Sequence, residues 1–245
     1  MHRGYRVGTS LRSMASIDGE ALAANDDYRS AVIDLLGVLA YGELMAFERL
    51  AADAALAPTI EDEAQLAAMA AAEFRHFSRL RDRLVEIGVD PAEAMQPFRA
   101  PLARFHEMTA PSDWLEGLVK AYVGDGIGID FYREIATYLD PRTRDLVLEV
   151  CEDLGQSAFV VDRVRAAIAA DPRVEGRLAL WARRLVGEAL SQAQHVAAER
   201  EALTALLVGD VGDEGTGMDL TAIATMLSRL TDEHSRRMQA LGLAS

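Results

Sequence analysis

Thiols and lysines are nearly missing from this chain: Cys151 is the only cysteine and Lys120 the only lysine among 245 residues. A single thiol excludes an intramolecular disulfide and fits a reducing, cytoplasmic compartment; Cys151 itself reads as a small buried hydrophobe. Basic charge is short as well. The net charge is −14 and the pI near 4.8, which argues against a broad nucleic-acid-binding surface, since phosphate neutralisation needs a basic excess. No uncharged apolar run reaches the length of a membrane span, so no transmembrane helix and no membrane partner are expected. The opening "MHRGYRVGTSLRSMASIDGE" carries arginines without an apolar stretch, so it does not read as a secretory signal. Met14 is a candidate start, with the residues before it a disordered lead. Apolar–polar alternation is also absent, and Ala, Leu, Glu and Arg dominate, which predicts helices throughout and no strand.

The few prolines and the capping residues divide the chain. A first long helix is expected over about 27–55, ending before Pro58. Thr59, followed by Glu61, Asp62 and Glu63, reads as the cap and acidic first turn of a second helix that ends at Gly88. Asp90–Pro91 opens a short helix, and "RAPLARFHEMTAPSD" reads as a connector. Ser112 is expected to cap a third long helix reaching about Tyr138, and Asp140–Pro141 and Asp171–Pro172 to begin two more. The domain expectation is a lead over 1–25, a bundle over 26–208, and an acidic Gly-rich loop with a C-terminal helix over 209–245.

Each of four helices carries an acid inside its oily stripe. Glu43 lies among Leu36, Leu39, Ala40, Phe47 and Leu50; Glu73 and His76 lie among Leu66, Met69, Ala70, Phe77, Leu80 and Leu84. Asp125 is set among Leu115, Leu118, Tyr122 and Ile129, and Asp153, with Gln156, among Leu146, Val150, Val160 and Val164. Burying one carboxylate without a partner costs several kcal/mol. Glu-x-x-His alone is a weak signal, but four such acids are not four accidents. The order also repeats: "AYGELMAFER" matches "AYVGDGIGIDFYR" with one insertion, and 30 residues separate Glu43 from Glu73 where 28 separate Asp125 from Asp153. Two helical hairpins related by a pseudo-two-fold would bring the four acids to one level.

Carboxylates gathered in an apolar core must protonate or bind cations. Oxygen and imidazole donors suit iron or manganese, and one Glu from each of two helices with Glu-x-x-His from the others is the ferritin-like dimetal pattern. Here it reads Glu43, Glu73-x-x-His76, Asp125 and Asp153-x-x-Gln156, with Asp for Glu twice and Gln156 where a second imidazole would stand. The expected cofactors are two iron or manganese ions, one of them weakly held. Tyr41, Tyr122 and Asp130 are candidates for the surrounding shell, and Glu48 for the surface. Gly124, Gly126 and Gly128 suggest a π-bulged turn or a close approach that leaves room for oxygen or substrate. His106, His195 and His234 fall on outer segments and read as solvated or capping.

The segments "AYGELMAFERLAADA", "AAEFRHFSRLRDRL", "APSDWLEGLVKAYVGDGI" and "VVDRVRAAI" resemble actinobacterial ferritin-like proteins grouped with the tRNA methylthio-isopentenyl-adenosine hydroxylase (MiaE-like). The resemblance spans about residues 25–208 and implies an all-α, ferritin-like four-helix bundle with additional C-terminal helices. It implies a di-iron monooxygenase, with Glu43, Glu73, His76, Asp125 and Asp153 as ligands. Gln156 departs from that six-ligand pattern. Its partners would be molecular oxygen and an electron donor, with tRNA as a candidate substrate and a homodimer as a candidate assembly. A non-catalytic ferritin-like scaffold with a degenerate site is the alternative, and iron handling or peroxide removal a third.

Overall fold

The computed structural model describes residues 25–152, 156–208 and 220–243, and all regular structure among them is helical. Helix α1, Asp26–Ala54, begins where the Asn25 side chain accepts from the backbone N–H groups of Asp27 and Tyr28. Helix α2, Ile60–Glu86, begins at Thr59, whose hydroxyl accepts from Asp62 N, and stops at Gly88, which adopts a φ of +76°. These two long helices form an antiparallel hairpin. By length and composition α1 could cross a membrane, but more than half of its most apolar stretch is buried inside the bundle.

The presumed connector after α2 is itself helical. Asp90 caps α3, Pro91–Met95, and a 3₁₀ turn over Gln96–Phe98 leads into α4, Arg99–Met108. Pro101 falls in the first turn of α4, where its missing N–H has no helical partner to lose. Gly37 lets α3 lie against α1: a Cβ there would overlap the Ala94 carbonyl.

The third long helix starts one residue later than expected. Asp113, not Ser112, caps α5, Trp114–Val119, by accepting from Glu116 N, while the Ser112 N–H and hydroxyl donate to the Glu116 carboxylate at 2.8 and 2.6 Å. This reciprocal arrangement satisfies two otherwise orphaned donors. Lys120–Gly124 is a π turn, as the glycine cluster suggested, and α6, Asp125–Ala136, continues from it. Gly126 is a close approach of a different kind: Arg237 fills the space, and a Cβ would meet its Nε at 2.7 Å.

Asp140 and Pro141 open α7, Pro141–Val150, and α8 runs over Gln156–Ala170. The fourth stripe therefore spans two described helices rather than one. The helix expected after Asp171–Pro172 is two, α9, Arg173–Glu199, and α10, Glu201–Val208; they break at Arg200, whose φ of −125° and ψ of 79° leave the helical region while its guanidinium pairs with Asp34. Helix α11, Leu220–Leu241, packs on α6 and α8.

The interior holds two apolar clusters. One gathers Leu35, Leu36, Leu39, Leu80, Leu84, Phe98, Ile135 and Val147; the other gathers Leu50, Leu66, Leu118, Val164, Leu178, Leu185 and Met238. Along α1 the first ends at Ala40 and the second begins at Leu50; along α2 the second ends at Ala70 and the first resumes at Leu80. Glu43 on α1, and Glu73 and His76 on α2, therefore lie at a polar waist between the two clusters. That waist positions the site.

Candidate metal centre

Helical spacing places Glu73 and His76 side by side on α2, and the antiparallel hairpin brings Glu43 of α1 opposite them. His76 Nδ1 lies 3.4 Å from Glu43 Oε2 and 3.5 Å from Glu73 Oε2, and the three side chains remain 16–17% accessible. One donor atom from each falls within 4.8 Å of the other two, the spacing of ligands around one ion. Glu43 Oε2 is buried and has no hydrogen-bond partner: the His76 nitrogen is near but not in bonding geometry. A buried, unpaired carboxylate oxygen between a carboxylate and an imidazole is the donor set a divalent cation completes.

The electrostatics agree. Burial pushes Glu43 well above the ordinary carboxyl value, and the neighbouring Glu73 adds to this while His76 opposes it. Burial would raise Glu73 too, but His76 and the Glu43 carboxyl hold it below its usual range. Contact with Glu43 and Glu73 lifts His76 to about 9 against the opposing effect of burial. Without metal, burial therefore favours the protonated form of Glu43, and the two carboxyls favour the protonated form of His76.

Asp125 approaches from α6 but stays outside this triad. Burial, then the charge of Glu73, pushes its carboxyl up to about 8, with Lys120 opposing. Its accessible area nonetheless classes it as exposed. Asp153 lies outside the described residues, as does the side chain of Gln156.

Among the surrounding candidates, Tyr41 packs on the first apolar cluster and Tyr122 on the second. Asp130 is buried and accepts from Arg237 of α11, with Arg133 at 3.9 Å. Glu48 is exposed. Cys151 is buried in the core, as expected, and burial raises its thiol; sequence reasoning passed over Tyr132, also raised by burial, and the charge on Glu43 adds to both. In the sequence, nothing separates Tyr132 from an ordinary core residue. Sequence reasoning also misjudged two histidines. His106 and His234 are half-buried with their Nδ1 atoms buried and unpartnered, while only His195 is exposed. Burial, with Lys120 and Arg49 nearby, holds His106 down to about 3.

Residues 26–210 match the family described as "Ferritin-like domain, actinomycetes". The chain belongs to this ferritin-like family. No curated protein matches the chain significantly. The ferritin-like fold is compatible with a dimetal centre, and the Glu43–Glu73–His76 cluster with metal binding.

Proposed function

We propose that this ferritin-like protein is an oxygen-activating oxidoreductase, a hydroxylase of the MiaE-like kind, with its metal centre at the polar waist. The observation that carries the reading is the unpartnered, buried Oε2 of Glu43 facing Glu73 and His76. Glu43, Glu73 and His76 hold the first ion, and Asp125, with Asp153 and Gln156 in the proposed set, serves the second. A bound pair of iron or manganese ions supplies the redox capacity to reduce molecular oxygen with electrons from an external donor.

The chain's own residues supply position and protons. Glu43 and His76, both raised, would hold an ion only in deprotonated form, so protons would compete with the metal. Asp125 can accept or return a proton near neutral pH, since its carboxyl is held near 8. The two apolar clusters flank the waist on either side, and the triad side chains remain only 16–17% accessible.

A net charge of −14 opposes a polyanionic substrate, so the proposal covers C–H hydroxylation and does not carry tRNA over from the resemblance. Anaerobic reconstitution with ferrous iron, metal counting, and oxygen uptake with a chemical reductant test it. At least one equivalent of iron and oxygen uptake above the free-iron blank are expected. Less than one equivalent overturns the metal reading; metal without uptake selects the non-catalytic alternative. Nucleoside analysis of a strain lacking the gene is expected to leave the hydroxylated-to-unhydroxylated ratio unchanged.

A further inference from the structure

Helix α9 has a second face that the bundle does not use. Leu178, Trp181, Ala182, Leu185 and Gln192 are buried on its inner side. On the outer side Gly176, Leu180, Arg183, Gly187, Leu190 and Gln194 are all exposed and follow one another at alternating steps of four and three residues. That alternation keeps a line of residues along one side of a helix and is the spacing of a seam between two helices. Leu180 is 66% exposed and Leu190 50%.

Two glycines interrupt this stripe. Glycine weakens a helix interior, so its presence in one calls for a reason. Gly37 has its reason in the Ala94 carbonyl and Gly126 in Arg237, but a Cβ at Gly176 or Gly187 would meet nothing within 4 Å among the described residues. The stripe is thus notched before Leu180 and again between the two leucines, and no described residue of the same chain fills either notch.

Charge gives the face a direction. From Arg173 to Val186 α9 carries four arginines and one acid, Glu175; from Gly187 to Glu199 it carries two acids, Glu188 and Glu199, and no arginine. A second copy of the helix running the opposite way sets the basic half against the acidic half, whereas a parallel copy sets arginine against arginine. The midpoints of Leu180 with Leu190, of Arg184 with Glu188 and of Arg173 with Glu199 fall at residues 185, 186 and 186. One two-fold axis therefore brings Leu180 of each copy to Leu190 of the other and each of these arginines level with an acid, the self-complementarity that a symmetric pair requires. Arg173 and Arg184 also have partners in their own chain, Asp171 and the Met108 carbonyl, so the leucines carry the contact and the charges its direction.

We propose that the outer face of α9 is the interface of an antiparallel homodimer. The proposal is independent of the metal reading above.

Sedimentation velocity of the full chain is expected to give twice the 26.6 kDa chain mass. Leu180→Glu combined with Leu190→Glu is expected to give the chain mass, with helical circular dichroism unchanged. Cysteine variants read the register. In the antiparallel pair, Leu180 of one copy lies about 15 Å along the axis from Leu180 of the other, ten residues at the helical rise, too far for a disulfide. The same spacing separates residues 180 and 190 within one chain. Leu180→Cys combined with Leu190→Cys is therefore expected to form a disulfide-linked dimer on mild oxidation, and neither single variant to do so; Cys151 is buried and does not compete. A monomeric wild-type chain, which leaves the face to another occupant, overturns the proposal. So does a dimer that persists when both leucines are replaced by glutamate in a folded chain. Linkage by Leu180→Cys alone, or its absence in the paired cysteine variant, overturns the antiparallel register.

Discussion

His76 is pinned between two carboxylates, so its removal acts on the ion before it acts on the fold. His76→Ala is expected to weaken the first ion at least as much as losing a supporting partner does, about 10–100-fold, with helical content preserved; metal analysis and circular dichroism read the two apart. The protonated triad also sets a pH dependence. The folded values of Glu43 and His76 are both raised, the latter from 6.5 to about 9. Their stabilisation is full below the unfolded values and is lost as pH rises through the folded ones. Metal-free protein is therefore expected to lose thermal stability between pH 6.5 and 9, while metal affinity rises over the same range because protons no longer compete. Unfolding scans with chelator, and titrations with metal, check the opposite slopes. Glu43→Gln should reduce the first slope. Glu73 and His76 were already out of place in an oily stripe when read as letters. Lys120 was legible only as a rarity, because a lone lysine reveals its burial through packing alone.

At the scale of elements, caps and prolines placed the helix starts at Thr59, Asp90 and Asp140 within a residue. Where side chains settle the choice between neighbours, as at Ser112 and Asp113, spacing could not decide: both residues serve the same helix end in reciprocal roles. The break at Arg200 follows from a tertiary pull, its ion pair with Asp34 of α1, which no local propensity encodes. Gly37 shows the same dependence. Gly37→Ala is expected to destabilise by about 1–3 kcal/mol, against the usual gain from Ala in a helix, because α3 must move away; a chemical denaturation midpoint measures it. The π turn ends at Gly124, while Gly126 and Gly128 lie beyond it in regular α6.

For the whole molecule, the decisive event is closure of the bundle around its waist and docking of α11 from outside. Arg237 enters over Gly126 and pairs with Asp130, and Arg229 pairs with Glu134, so α6 and α11 are joined by one buried and one exposed ion pair. Breaking a buried pair from one side costs about 3–5 kcal/mol. Asp130→Asn is thus expected to lower the melting temperature by several degrees and to speed amide exchange across 220–241 more than across α1. Equal acceleration in both would show that α11 is not a separately docked element.

The all-helical class, the placing of most elements, and the acid in each of three described stripes follow from the sequence, since periodicity and capping are local properties of neighbouring residues. Which of those acids meet is a property of closure. Glu43, Glu73 and His76 converge because an antiparallel hairpin sets residues thirty apart at one level, while Asp125, on α6, lies outside the triad. Those relations depend on distances between segments far apart in the chain, and only the packed bundle sets them.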